Sequence, residues 1–261
     1  MANLHPRRVM LWAYPRSLST AFEFSLASRQ ETEVFHELYT LAYHFGEERV
    51  SRQGGGETRV PGYFFKDVIK TLESDCPGKD VMICKDMAYC LDGKYGRLPK
   101  DYIHTFLIRD PRRSIASLCK TYIAFDAPLE LMPSSGGVKQ LYDLHNYVTD
   151  TLKQKSIIID AGDLANYPEK IIRKYCEAVG IPYCDNYINW KENDLEYWHM
   201  IWKQKAIRDV CHSQAVKSTH FKSNLHNNQP VDVSEVPHQG QLQIEAALPY
   251  YNELFQKRIR P

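Results

Sequence analysis

The sequence predicts one α/β domain, a parallel central sheet flanked by helices with its ligand crevice at the C-terminal ends of the strands. Three observations carry this. Short apolar segments alternate with helix-like stretches through residues 8–182, the pattern of βαβ units. Ser156–Asp160 contains three successive isoleucines, which suits a strand buried on both faces, as a parallel sheet requires. A chain of 261 residues with 43% apolar and 25% charged residues suits a single large domain over residues 1–261 with a sizeable core.

Taken in order, the first strand is Arg8–Tyr14. It runs through Pro15-Arg16-Ser17-Leu18-Ser19-Thr20 into a helix over Thr20–Arg29. Glu33–Leu38 is a second strand or loop. Residues 47–61 are polar with three consecutive glycines and read as a loop. Val81–Lys85 and His104–Ile108 are short apolar strands, and Pro111 opens a helix after the second. A break at 132–138 leads to a helix over Lys139–Gln154. Ser156–Asp160 is the last strand, followed by a helix from Tyr167 to Val179 that Gly180 and Pro182 end. Residues 185–261 form a partly helical region containing a polar stretch over 224–240 and a closing amphipathic helix, Gln241–Arg258.

Composition narrows the function. Lys and Arg total 33 against 32 Asp and Glu, so a dedicated nucleic-acid binder, with its basic excess, is not expected. No apolar run approaches the roughly 18 residues a membrane helix needs. The N-terminal apolar stretch, Val9–Tyr14, is too short for a signal peptide core and reads as a buried strand. The seven cysteines show no C-x-x-C pair, which points to free thiols in a reducing, cytoplasmic setting.

Two motifs carry chemistry. A strand that turns sharply into a helix presents free backbone N–H groups and a positive dipole end, which together bind anions. Here Arg16 adds a cation, and Ser17, Ser19 and Thr20 add hydroxyls. The alternative is a plain helix cap made by Ser19 or Thr20. The glycines and lysine of a Walker A loop are absent, which disfavours a kinase. The second motif is Arg109-Asp110-Pro111-Arg112-Arg113-Ser114, with Ser117 following in the helix. Three arginines near a helix start oppose its dipole unless an anion binds there, and arginine binds phosphate bidentately.

Together the motifs resemble the sulfotransferases that use 3′-phosphoadenosine 5′-phosphosulfate (PAPS). Pro15, Arg16, Ser17, Ser19 and Thr20 match that superfamily's loop for the 5′-phosphosulfate. Arg109 and Ser117 match its strand-end Arg and downstream Ser for the 3′-phosphate. Ser156–Pro182 is similar to a further segment of the family, strand-D-L-x-x-x-P-helix-G-x-P. The resemblance implies a P-loop NTPase-like topology and metal-free, in-line sulfuryl transfer from PAPS to a small-molecule or carbohydrate acceptor. It implies a cofactor cradle of Arg16, the backbone of Ser17, Leu18, Ser19, Thr20 and Ala21, and the pair Arg109 and Ser117. Departures are Leu18 where cytosolic members carry Gly, and Lys85-Asp86-Met87 where they carry a catalytic His at the third position. The chain thus looks closer to the divergent branch that includes bacterial and carbohydrate-directed members, in which a glutamate can be the base.

The candidate catalytic residues are Arg16 on the leaving phosphate oxygen, Lys85 on the transferred group, and Glu37 or its neighbour His36 as base. Adjacent strand residues face opposite ways, which favours one of the two, and Glu37 is preferred. Asp86 is the secondary choice. His212–Phe221 is a candidate lid over the cofactor, and Tyr39, Tyr43, His44, Tyr89, Tyr122, Phe125 and Trp198 are candidate acceptor-pocket residues. A P-loop-like phosphotransferase and a non-catalytic nucleotide binder of the same fold stay open as alternatives. Magnesium dependence and nucleotide binding respectively separate them from the first reading.

Overall fold

The computed structural model describes residues 6–50, 59–223 and 231–261. Parts of the predicted loop 47–61 and of the polar stretch 224–240 therefore lie outside the described residues.

Five parallel strands form one sheet in the order β2-β3-β1-β4-β5. They are β1 (Arg7–Ala13), β2 (Thr32–His36), β3 (Val81–Met87), β4 (Ile103–Ile108) and β5 (Ile158–Asp160). β1 sits in the middle with every residue from Val9 onward fully buried, which is why it shows no polar alternation. Even its indole is satisfied, since Trp12 Nε1 donates to His104 Nδ1 at 3.0 Å.

The longer helices are α1 (Ser19–Ala27), α2 (Leu38–Phe45), α3 (Phe65–Glu73), α4 (Pro111–Ala124), α5 (Val138–Asn146), α6 (Ala161–Asn166), α7 (Pro168–Val179) and a C-terminal helix, His238–Gln256, with short helical turns over 200–216 before the last. The last packs against α4 and α5. The helix predicted over Lys139–Gln154 is α5 followed by a wider π turn at Tyr147–Thr151. None of the described helices is long and apolar enough to cross a membrane.

This topology positions the site. From β1 the chain leaves through α1 toward β2, whereas from β4 it leaves through α4 toward β5. The two connections diverge, so a crevice opens between the C-terminal ends of β1 and β4. Arg16 follows β1 and Arg109 follows β4, so both motifs meet there.

Candidate functional site

The turn after β1 is unusual. Arg16 and Leu18 both adopt left-handed backbone, at φ 65° and φ 75°. Leu18 is the N-cap of α1, and no side chain caps the helix. The plain cap by Ser19 or Thr20 is thus absent. A left-handed leucine costs about 1–2 kcal/mol, and glycine is the ordinary residue for this conformation, so the departure at Leu18 keeps the turn's shape with a different residue. The first turn of α1 carries no acidic side chain. Ser17 Oγ is buried with no partner. A buried hydroxyl left unpaired is costly.

Two arginines close the cradle. Tyr14 OH accepts from the Arg109 backbone N–H at 2.6 Å and donates to the Arg109 carbonyl, locking the end of β1 to the end of β4. Arg109 Nη1 donates to the Arg16 carbonyl at 2.7 Å. Arg16 Nε donates to Ser117 Oγ at 3.0 Å, and Arg16 Nη1 to the Cys211 carbonyl. Among the described residues neither guanidinium has a carboxylate within ion-pair distance. Burial lowers the pKa of both, and for Arg109 the neighbouring Arg113 and Arg16 lower it further. Clustered, half-buried cations of this kind call for an anion. Arg112 behaves differently, being exposed and paired with Asp110 at 2.7 Å. Arg16–Ala21, Arg109 and Arg113 line a cleft of 1310 Å³. Ser117 touches Arg16 and is not itself part of the wall.

Beside the cradle lies a buried charged cluster. Glu37 is also left-handed, at φ 52°, and this breaks the strand alternation expected for His36 and Glu37. Both side chains therefore enter the same cluster, with His36 Nε2 3.9 Å from Glu37 Oε1. Only Glu37 reaches the cleft wall, while His36 lies behind it. Lys85 also lies behind. Its ammonium is fully buried, bonded to Glu37 Oε1 and 3.4 Å from Glu23 Oε2. Lys85, expected on the transferred group, is not on the cleft wall, and its charge faces Glu37 and Glu23. Glu23, missed by sequence reasoning, organises the cluster. It meets His36 Nδ1 at 2.8 Å and accepts from Tyr197 OH at 2.8 Å and Trp198 Nε1 at 3.1 Å.

The charges follow from these contacts. Burial pushes the Glu37 carboxyl up, but the Lys85 ammonium outweighs it and holds the pKa at about 2. Burial would depress Lys85, yet Glu37 and Glu23 keep its ammonium above its usual range. Asp86 is taken up structurally. It accepts from Tyr39 N at 2.6 Å, Thr40 N at 3.0 Å, Thr40 Oγ1 at 2.6 Å and Met87 N at 2.8 Å, and so anchors the start of α2.

His212 comes from the far end of the chain. It lines the cleft, with Nδ1 3.4 Å from Thr20 Oγ1, and thus stands between the anion cradle and Glu37. Its sequence neighbourhood marks only a lid segment, and residues 212–215 do line the cleft. Burial lowers the His212 pKa to about 3, so the ring is neutral near pH 7. Of the aromatic candidates, His44, Tyr89, Tyr122 and Phe125 line the cleft, and His44 Nε2 meets Tyr89 OH at 3.0 Å. Tyr39 and Trp198 are core residues.

Fold and site together define a class: a parallel α/β domain with an uncapped helix start beside clustered arginines at the C-terminal edge of its sheet. The chain belongs to the sulfotransferase domain family, whose pattern spans residues 7–257. Its fold is similar to that of the sulfotransferase domain of the Synechococcus PCC 7002 olefin synthase, at TM-score 0.52 and 14% identity over 94% of this chain and 96% of that one. It is also similar to branched-chain-amino-acid aminotransferase-like proteins 1 and 2 of Arabidopsis thaliana. Identity is 28% over 201 residues with the first (73% of this chain, 33% of the relative). With the second it is 26% over 193 residues (70% and 32%). The chain spans about a third of the length of these curated relatives.

Proposed function

We propose that the protein transfers a sulfuryl group from PAPS to a hydroxyl or amine of a small-molecule or carbohydrate acceptor. The observation that carries this reading is the cradle: two guanidiniums without carboxylate partners and an unpaired buried hydroxyl, all at an uncapped helix start. PAPS supplies the activated sulfuryl group and a phosphate leaving group. Arg16 and the backbone N–H groups of Ser17–Ala21 hold the 5′-phosphosulfate and offset charge as it gathers on the leaving oxygen. Arg109 holds the 3′-phosphate, with Ser117 coupled to it through Arg16.

Glu37 receives the acceptor's proton. A carboxylate held near pKa 2 is a weak base, and Lys85 is the reason. Lys85 has a second carboxylate close by, Glu23 at 3.4 Å. Leaning toward Glu23 releases Glu37 and raises its basicity while the acceptor is bound. His212 borders the same space and shields it. The seven cysteines are free, with Cys84, Cys90, Cys119 and Cys176 buried, which supports a cytoplasmic setting.

The test is transfer of labelled sulfate from PAPS across phenols, sterols, sugars and peptides without Mg²⁺, beside thermal stabilisation by adenosine 3′,5′-bisphosphate. Stabilisation and magnesium-independent transfer are expected. Absence of stabilisation sinks the nucleotide reading. Glu37→Gln is expected to lower turnover at least about 100-fold while the bisphosphate still stabilises the protein. Unchanged turnover in that variant overturns the assignment of the base.

A further inference from the structure

One buried nitrogen in the charged cluster has no partner. His36 is 1% exposed, and its Nε2 meets no hydrogen-bonding group. Its other nitrogen is held by the Glu23 carboxylate at 2.8 Å, and its ring is stacked on Trp198 at 3.8 Å between centroids. Glu23 therefore fixes the Nδ1 proton and leaves the Nε2 lone pair free. A carboxylate behind a histidine is the outer-shell arrangement that orients metal-binding imidazoles. The free lone pair faces Glu37 and His212. Ligand atoms of His36, Glu37 and His212 all lie within 4.8 Å of one another.

We propose that His36 Nε2, the Glu37 carboxylate and His212 form a binding site for a divalent transition-metal ion of the zinc class. Two imidazoles and one carboxylate are the donors such ions prefer. Three protein ligands leave a position open, and Glu37 and His212 border the cleft, so an ion has a path of entry. Glu37 is held ionised beside Lys85, and Glu23, whose pKa burial raises, lies behind both. Lys85 keeps Glu23 as a partner when an ion takes Glu37. Bonds of about 2.0–2.2 Å place neighbouring ligand atoms about 3.3 Å apart. From 3.9 Å between His36 and Glu37, that closure takes a small side-chain movement. Occupancy removes Glu37 from the acceptor, so zinc inhibits transfer. This last consequence rests on the proposed function, whereas the binding itself does not.

The test is titration of the chelator-stripped full chain with Co²⁺, read by visible d–d absorption, with zinc stoichiometry by equilibrium dialysis. One equivalent is expected. His36→Gln and His212→Ala should each weaken binding more than about 100-fold, beyond the loss of an outer-shell partner. Cys211→Ser, beside the site, should leave the spectrum unchanged. His212 sits at the cleft edge, so its variant decides the matter if His36→Gln fails to fold. Failure to bind stoichiometrically, or wild-type affinity in His212→Ala, overturns the proposal. Zinc binding without any sulfuryl transfer leaves the site standing and counts against the functional reading alone. Transfer unaffected by zinc in a protein that binds none defeats the site alone.

Discussion

Three helices start at the same edge of the sheet, and they are built in two ways. α4 begins behind Asp110, whose carboxylate accepts the Arg112 N–H at 2.9 Å. α6 begins behind Asp160, which accepts from Gly162 N at 2.8 Å and Asp163 N at 3.2 Å. α1 begins behind Leu18, in left-handed backbone and with no side-chain cap. A helix start leaves N–H groups without intrahelical partners, and an aspartate satisfies them while matching the dipole. Two starts are thus closed by the chain itself. The third has no side-chain cap, and Arg16 stands just before it. On the function proposed above, the capped starts serve stability while the open one and the arginines around it serve ligand affinity, and mutations should separate the two.

The largest separation is expected at Arg109→Ala. Charged hydrogen bonds to a phosphate are worth about 1.5–3 kcal/mol, so affinity for adenosine 3′,5′-bisphosphate should fall by roughly 10- to 150-fold in calorimetric titration. The ligand-free protein should lose little beyond the Arg109 Nη1 bond to the Arg16 carbonyl, because the half-buried guanidinium has no carboxylate partner among the described residues. A variant that unfolds several degrees earlier yet binds normally would break the comparison and make Arg109 a structural residue.

How much of this was legible in the sequence depended on local rules. Four of the five strands were legible because short apolar runs in a parallel sheet need no partner to identify them, whereas β2, Thr32–His36, carries polar residues and read only as a strand or loop. The turn from β1 into α1 was legible because Pro15 and the hydroxyl residues Ser17, Ser19 and Thr20 follow the apolar strand directly. Lys85 and His36 were not legible as buried supports. Alternation assigns opposite faces to His36 and Glu37, and a single left-handed residue, Glu37, cancels that rule. Glu23 lies mid-helix and reads as an ordinary surface glutamate. Its burial comes from Tyr197, Trp198, His36 and Lys85, which no local pattern brings together. His212 reaches the cradle across more than 190 residues of chain. α2 and α3 escaped for a simpler reason: α2 is short and follows a strand directly, and α3 lies beyond a polar loop.

The next effect concerns the cap of α6. Asp160 is 5% exposed, and burial raises its pKa to about 6 despite the N–H groups it accepts. A carboxyl raised in the folded state favours its protonated form there. Below the unfolded value near 3.8 both states hold the proton, and no penalty exists. Between 3.8 and about 6 the unfolded state ionises first, so stability falls as pH rises and the full penalty is present at pH 7. Asp160→Asn keeps an acceptor at the cap and cannot ionise. Chemical denaturation should show the variant more stable at pH 7 by about 1–3 kcal/mol, with the gain vanishing near pH 4. A difference that does not change with pH would mean that the carboxylate is not destabilised by burial.

The smallest effect falls on the cap of α4. Asp110→Ala removes the acceptor of Arg112 N–H and the partner of the Arg112 guanidinium, and should cost about 1 kcal/mol of stability. Much of the ion pair is solvent-screened, so the cap supplies most of that loss. The same variant removes a negative charge from the cleft wall. Affinity for the bisphosphate should therefore hold or rise slightly, the reverse of Arg109→Ala one residue away. If Asp110→Ala instead weakens nucleotide binding, the closed start of α4 is shaping the ligand site as well. The division between capped starts for stability and an open start for affinity would then be too simple.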